Sequence, residues 1–458
     1  MRDLAWIDSF HRTMREYLFV REEDRILILP PNQVYKLNDA GLAALRHLGA
    51  GRRIARLPGL RDGERAQEVH DFFTDIKELA DCDTPRHGVR RSVERIPYGF
   101  DYTALPILGE IAVTYRCTNA CLFCYAGCGS MRCAAPGAAA DAAPGAATDA
   151  ASGGGEMSLE EVQRVIRVFR DDAKIPFFSF TGGEPTLRGD LPAMIRYARE
   201  AGLAVNLITN ATLVDSAMAR ALAAAGLRTA QVSVESPDAA EHDGLTATPG
   251  SHGRTLKGIR ALQEAGICVQ TNTTLTARNA GSLPRLVPFL KGLGVRRFAC
   301  NLFIPSGTGL SKPDLFLPYT AAPPLVEGLA AEAAREDLTF YWYSPLPHCI
   351  WNPIAKGMGN KSCAAMDGLL SVSPRGDVLP CSSWPEPVGN LLERPFRDIW
   401  FSPRGRFFKN KEYAPRECAG CEGFRACQAA CPLYWKHAGT AELAARARTA
   451  TKQEEVAV

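Results

Sequence analysis

No run of about twenty apolar residues occurs in the chain, which excludes a transmembrane helix. The N-terminus, MRDLAWIDSFHRTMREY, carries charges throughout and lacks the apolar core of a signal peptide, so the expected location is the cytoplasm. Net charge is also small: 53 Lys and Arg against 50 Asp and Glu leave +3. That balance implies no broad attraction to nucleic acid or to a membrane surface, and neither is expected as a partner. The basic run RHGVRR (86–91) is the local exception and reads as a solvated linker. Cysteine, by contrast, is plentiful at 15, but an odd count in a reducing compartment does not make a disulfide framework. Those cysteines read as metal ligands. Hydrophobic content of 46% and charged content of 22% describe an ordinary globular chain, and its length suggests about two to three domains.

Residues 1–98 form the first expected unit. ILILPP (26–31) and QVYKL (33–37) read as two short strands around a tight turn. A helix follows, with Asp39 as its N-cap and glycine at its stop. A second helix places Val69, Phe72, Phe73, Ile76 and Leu79 on one face. A hairpin with helices suggests a small winged-helix-like domain or an N-terminal decoration of the main domain.

Over 105–320 strand and helix alternate. The expected strands are 110–115, 177–181, 204–209, 229–234, 268–273 and 296–301. Helical patterns lie between them, the first with Ser158 as N-cap, and several end in glycine. Six βα repeats give an α/β fold with a parallel sheet, either an open sheet or a partial (βα)6 TIM-like barrel. Chemistry in both sits at the C-terminal ends of the strands. Residues 134–156 interrupt the pattern with low-complexity Ala, Gly and Pro and read as a flexible insertion. A loop-rich unit over 345–440 holds seven cysteines, and 441–458 reads as a frayed helical tail.

The strand ends carry the chemistry. After the first strand comes Cys117-x3-Cys121-x2-Cys124, in CTNACLFC. A [4Fe–4S] cube normally takes four thiolates. Three on one loop leave one iron for a substrate or cofactor, unless Cys128 or Cys133 completes a zinc site. After the second strand comes Gly182-Gly183-Glu184-Pro185, where glycines admit close backbone approach and a carboxylate accepts from an ammonium group.

Cx3CxFC followed by GGEP on six βα repeats resembles the radical S-adenosylmethionine (SAM) superfamily, over roughly 105–305. The resemblance implies that Cys117, Cys121 and Cys124 hold a cluster whose open iron chelates SAM. Reductive cleavage would give methionine and a 5′-deoxyadenosyl radical that abstracts hydrogen from substrate. Gly182, Gly183 and Glu184, with Pro185 in the same motif, would hold the methionyl amino group. Phe123 would lie near the cluster. Asn210, Ser233 and Glu235 become candidates for the SAM carboxylate or ribose, against a plain role as polar strand ends. Thr274 and Asn301 share that position with less weight.

Farther on, Cys363, Gly376-x4-Cys381 and Cys418-x2-Cys421-x5-Cys427-x3-Cys431 resemble the SPASM domain, which binds auxiliary iron–sulfur clusters; GNLLERPFRDIW (389–400) resembles its linking stretch. Family connectivity implies Cys349, Cys363, Cys381 and Cys431 on one auxiliary cluster. Cys418, Cys421 and Cys427 then hold a second. The usual further cysteine is missing after Cys431, which leaves its fourth ligand open, with His437 as one candidate. Cys128 and Cys133 fall outside the family pattern and read as spare thiols; Cys82, Cys268 and Cys300 read as ordinary buried or interfacial ones.

Residues of about 20–85 resemble a PqqD-like peptide-recognition domain, which implies a precursor peptide adding a strand to the sheet edge. The leading expectation is therefore a radical SAM/SPASM enzyme that matures a ribosomally made peptide, with a flavodoxin or ferredoxin as electron donor. Relatives acting in haem or haem d1 synthesis, or maturing other enzymes, supply the second expectation. A non-catalytic iron–sulfur scaffold or redox sensor is the third. No catalytic acid or base stands out.

Overall fold

The computed structural model describes residues 3–29, 33–80, 92, 102–128 and 155–443. The basic run 86–91, Cys82, Cys133, the insertion before residue 155 and the tail beyond residue 443 lie outside the described residues. The chain divides into two compact units, Met1–Leu108 and Gly109–Val458.

The first unit is built from α1 (Ala5–Met14), β1 (Phe19–Arg21), β2 (Ile26–Leu29), β3 (Gln33–Lys36), α2 (Asp39–Gly49) and α3 (Gly63–Ala80). The strands form an antiparallel sheet in the order β1-β2-β3. The strand β1 is not among the expected ones, because three residues are too few to show an alternation. The cap of α2 is Asn38, whose side chain accepts from Gly41 N at 2.8 Å; Asp39 is the first helical residue instead. Val69, Phe73, Ile76 and Leu79 of α3 enter the core beside Leu27, Leu45 and Leu48, while Phe72 is only partly buried. A buried ion pair fixes the 104–106 segment to this sheet. Arg21 donates to both carboxylate oxygens of Asp24 at 2.9 and 2.7 Å, and to the carbonyls of Leu105 and Pro106. Asp24 also accepts from Ala104 N at 2.9 Å. Both charges are thus compensated, which is the condition for burying them.

The second unit alternates as expected. The order is β4 (Leu108–Ala112), α4 (Leu159–Asp171), β5 (Phe177–Thr181), α5 (Leu191–Glu200), β6 (Ala204–Thr209), α6 (Ser216–Ala224) and β7 (Thr229–Ser233). Then come α7 (Ala239–Thr246), α8 (Ser251–Glu264), β8 (Cys268–Leu275), α9 (Leu286–Gly292), β9 (Arg297–Leu302), α10 (Ala322–Arg335) and β10 (Thr339–Trp342). Ser158 caps α4 in a full capping box with Glu161. Neighbouring strands from β4 to β10 pair in parallel, so β10 is a seventh parallel strand added to the six expected. The C-terminal region adds β11 (Leu369–Val372), β12 (Asp377–Leu379) and β13 (Gly389–Asn390) beside β4, giving one ten-stranded sheet. This is a mixed α/β fold whose parallel part is the partial TIM-like core. The regions 105–320 and 345–440, separate in sequence, share that sheet.

Parallel strands are usually buried on both faces, yet β6, β7 and β8 alternate between buried and half-buried residues. The half-buried positions are largely polar: Asn206, Gln231, Gln270 and Asn272. Gln270 donates to Gln231 at 3.3 Å, and Asn272 to Asn301 at 2.7 Å. Such a face suits a ligand cavity better than a packed core. Cys300 is buried as expected, but Cys268, the first residue of β8, is exposed.

Candidate active site

The loop after β4 holds Cys117, Cys121 and Cys124 in one electrostatic group. Burial pushes the Cys117 thiol up to about 12, and Cys124 adds to the shift. The Cys121 thiol is raised by burial, by Glu235 and by both other cysteines. Mutual repulsion of this kind is what a cationic iron–sulfur core relieves, so the donor set fits the group. Among the described residues, no three histidine, cysteine or acidic side chains form a group able to hold a metal ion. A cube does not need one, because its thiolates bind separate irons.

The surrounding chain fixes the loop. Ala120 N donates to Thr246 O at 3.0 Å, and Leu122 N to Leu245 O at 2.9 Å, which ties it to the end of α7. On the other side, Thr308 Oγ1 lies within hydrogen-bond reach of the Cys121, Leu122 and Cys124 carbonyls at 3.0, 3.3 and 3.2 Å. Its backbone N–H donates to Cys124 O at 3.0 Å. Gly307 stands at φ +52°, and a Cβ there would lie 2.2 Å from Cys124 O. Phe123 packs with Leu245, Phe303 and Leu315 beneath the loop. Gly307 and Thr308 carry no signal in the sequence, since the dipeptide is unremarkable without its partner loop. We expect Thr308→Val to cost roughly 1–3 kcal/mol at this loop. Chelator stripping of its cluster should then run about tenfold faster, and an unchanged rate would contradict the bracing role.

The sulfurs also have donors. Asn119 N donates to Cys117 Sγ at 3.4 Å and Asn210 Nδ2 at 3.7 Å. Cys128 N donates to Cys124 Sγ at 3.4 Å. Cys128, expected as a spare thiol, is therefore buried against the SAM-motif loop, and its hydrogen bond lowers the Cys124 thiol.

The GGEP turn knits two strand ends together. Gly183 N donates to Thr114 O at 2.7 Å and Glu184 N to Arg116 O at 2.8 Å. The Glu184 carboxylate is fully buried and engaged inside the protein. It accepts from Thr186 N at 3.1 Å, Thr186 Oγ1 at 2.5 Å, Thr209 Oγ1 at 2.6 Å and Asn210 N at 2.8 Å. An incoming ammonium group therefore meets the backbone of this turn more readily than the carboxylate. Asn210 is similarly occupied: its Oδ1 accepts from Thr212 N at 2.9 Å and its Nδ2 donates to Thr118 Oγ1 at 3.0 Å. Ser233 closes β7 half-buried. Glu235 is buried, accepts from Thr274 N at 2.9 Å, and burial raises its carboxyl to about 8. Its charge reaches Cys121, which places it beside the cluster loop.

The remaining cysteines fall into two sets. Cys363 and Cys431 act together on Cys381, and Cys363 acts on Cys431, so these three form an inner set. Burial pushes Cys431 up to about 12. The Tyr413 hydroxyl is buried against Cys363. Cys418 is raised to about 11 by burial and by Cys427, Cys349 and Cys421. Cys418, Cys421 and Cys427 form an outer set, and Cys349 lies within electrostatic reach of it. The Gln428 amide, fully buried next to Cys427, has no hydrogen-bond partner within the protein. An orphaned buried donor beside a cysteine ligand fits a sulfide-bearing cluster, whose sulfurs accept hydrogen bonds. His437 is exposed on the helix Pro432–Ala438, and Lys436 is its electrostatic neighbour.

Between the SAM-motif loop and the inner set lies Glu110 of β4. Its half-buried carboxylate accepts from Ser371 Oγ at 2.6 Å and from Ser382, and desolvation raises its pKa. Its charge reaches Tyr125, next to Cys124, and Cys381. Nothing in the sequence singles it out, because its importance depends on the pairing of β4 with β11.

A parallel partial barrel with a three-cysteine loop at one strand end, a GGE turn at the next and two further cysteine sets defines an enzyme of radical SAM chemistry. The model of the radical SAM superfamily matches residues 111–279, and that of the SPASM iron–sulfur cluster-binding domain residues 363–422. The chain belongs to the radical SAM superfamily and carries a SPASM domain. Its cofactors are SAM and [4Fe–4S] clusters. It is 30% identical over 295 residues to the AdoMet-dependent heme synthase of Methanosarcina barkeri, covering 60% of this chain and 82% of that one. With the PqqA peptide cyclase of Xanthomonas euvesicatoria pv. vesicatoria it shares 30% over 255 residues, 53% of this chain and 66% of the relative. The fold is similar to that of Streptococcus suis SuiB, with a TM-score of 0.63 at 17% identity, covering 91% of this chain and 95% of SuiB. SuiB bound to its precursor peptide SuiA matches over the same shares with a TM-score of 0.62. No helix among the described residues is long and apolar enough to cross a membrane.

Proposed function

We propose that this enzyme modifies a ribosomally made precursor peptide, held in part by its N-terminal unit. The observation that carries this reading is a cleft of about 830 Å³ in that unit, between β3 and α3. Its walls include Tyr35 and Lys36 on one side and Val69, Phe72, Ile76 and Leu79 on the other. Among the described residues the strand β3 pairs only with β2 and so ends the sheet. An edge strand beside an apolar helix face suits strand addition by an extended peptide. The SuiB likeness supports the reading: the N-terminal unit is nearly a quarter of the chain, so 91% coverage must include most of it.

Cys117, Cys121 and Cys124 would hold the SAM-binding cluster, and backbone groups of Gly182 to Glu184 the methionyl amino group, with Pro185 completing the turn. Ser233 and Glu235 lie at the strand ends where ribose or carboxylate contacts belong, and Asn210 steadies Cys117. A flavodoxin or ferredoxin in the cytoplasm would supply the electron, and the bound cluster and SAM would supply a 5′-deoxyadenosyl radical able to take hydrogen from substrate. If an auxiliary cluster takes the electron from a substrate radical, a proton leaves with it, and Glu110 is a half-buried carboxyl that could receive it. Glu110→Gln should leave 5′-deoxyadenosine formation within about twofold and lower product roughly 100-fold. Equal loss of both would refute that role.

The test of the substrate class uses the full chain and a labelled peptide from a short reading frame beside its gene. Anisotropy should show binding, and Phe72→Ala should weaken it about tenfold through loss of an aromatic anchor. A second reading, tetrapyrrole chemistry, is favoured by the 30% identity to a heme synthase. Haem formation from an iron tetrapyrrole, with no peptide bound, would establish that reading instead.

A further inference from the structure

We propose that Gln428 and Tyr413 are hydrogen-bond donors to the auxiliary iron–sulfur clusters and hold the reduction potentials of those clusters up. Gln428 acts beside Cys427 and Tyr413 beside Cys363. The assignment concerns only the cofactors this chain carries and is independent of the substrate class.

Among the described residues of 345–440, four side chains have a buried polar atom without a hydrogen-bond partner in the protein. They are His348 at Nε2, Trp384 at Nε1, Tyr413 at its hydroxyl and Gln428 at both amide atoms. Each of the four can donate, and each borders a cysteine of the auxiliary sets. His348 N donates to Cys427 Sγ at 3.2 Å. Trp384 N donates to Cys381 O at 2.9 Å. Lys411 Nζ donates to Cys363 O at 2.7 Å, and Tyr413 lies in the turn that Ala414 N closes on Lys411 O at 2.9 Å. Gln428 follows Cys427 directly. Buried donors in folded proteins are nearly always satisfied. Four that all border cysteine ligands point to one class of acceptor, the sulfurs of a cluster.

Gln428 is the most constrained of them. It is fully buried. Gln428, Ala429 and Ala430 stand at φ 55°, 58° and 58°, left-handed values that strain every residue type except glycine. Gln428 N donates to Phe424 O at 2.7 Å, and Trp435 Nε1 donates to Ala429 O, so the turn is held in this conformation from both sides. The strain therefore lies between Cys427 and Cys431, at the residue that carries the unpartnered amide. A donor to a cluster sulfur stabilises the reduced cluster more than the oxidised one, because reduction adds negative charge, and the potential rises. Leucine at 428 or phenylalanine at 413 keeps the bulk and removes the donor.

The test is a redox titration of the full chain, followed by electron paramagnetic resonance. Cys117, Cys121 and Cys124 are all changed to alanine, so that only the auxiliary clusters contribute. In that background Gln428→Leu should lower the midpoint of the signal that Cys427→Ala removes. The reduced-to-oxidised ratio at fixed potential should fall about tenfold, which for one electron is about 59 mV. Tyr413→Phe should act in the same direction on the signal that Cys363→Ala removes. Iron and sulfide contents equal to the parent's show that the clusters are intact. Unchanged midpoints in variants loaded to that level would overturn the proposal. A second measurement leaves both residues in place. With the glutamine side-chain amides isotopically labelled, pulsed spectra should show an amide nitrogen coupled to an auxiliary cluster. The lack of that coupling would overturn the Gln428 assignment, even where Gln428→Leu fails to load.

Discussion

Cys121→Ala should abolish 5′-deoxyadenosine formation while leaving about eight of roughly twelve irons bound, as expected for the loss of one of three cubes. Cys121 is the middle ligand of its loop, and its carbonyl accepts from Thr308. Its thiol interacts with both Cys117 and Cys124. Removing it leaves two thiolates, too few to hold a cube and present one open iron. The auxiliary sets begin more than two hundred residues later, on loops braced by their own contacts. They should therefore keep their metal. Anaerobic reconstitution, iron and sulfide counting, and chromatography of the SAM products provide the check. Continued 5′-deoxyadenosine formation would remove Cys121 from the cluster.

Gly183→Ala should be nearly as damaging, for a steric reason. A Cβ on Gly183 would lie 2.3 Å from Arg116 O and 2.8 Å from Tyr115 O, and both are backbone atoms that no side-chain rotation moves. The two hydrogen bonds that join the GGEP turn to the end of β4 must then stretch or break. Asn210, which donates to Cys117, is joined to the same turn through Glu184. Substitutions that force backbone apart in a packed site reach about 4 kcal/mol or more. Even about 2.7 kcal/mol of that cost at the SAM site would lower SAM turnover about 100-fold. Equilibrium dialysis with SAM and a thermal melt would measure the effect. Wild-type affinity and Tm would show that the turn accommodates a side chain.

Much of this enzyme is legible in its amino-acid sequence. The spacing of Cys117, Cys121 and Cys124 states an incomplete thiolate set, and that follows from ligand chemistry alone. The strands at 177–181 and 204–209 match the expected boundaries because apolar runs bounded by turns and helices report local conformation. The cap at Ser158 is equally local. Short or marginal features are not legible: β1 has three residues, and Asn38 and Asp39 are neighbouring residues that both favour caps.

What only the tertiary structure decided are relations between distant residues. Thr308 braces a loop almost two hundred positions earlier, and Glu110 meets Ser371 across 261. The Glu184 carboxylate is engaged by Thr209 and Asn210 from the next strand end, and His348 N donates to Cys427 Sγ across 79 positions. Spacing along a chain records which ligands share a loop. It does not record which loops meet, because that is set by strand register and by packing of the folded units. The sequence by itself therefore determined the chemistry of the cofactor and the βα frame that carries it. The fold decided which loops meet and which carboxylates are engaged inside the protein, because strand register and packing bring distant residues together.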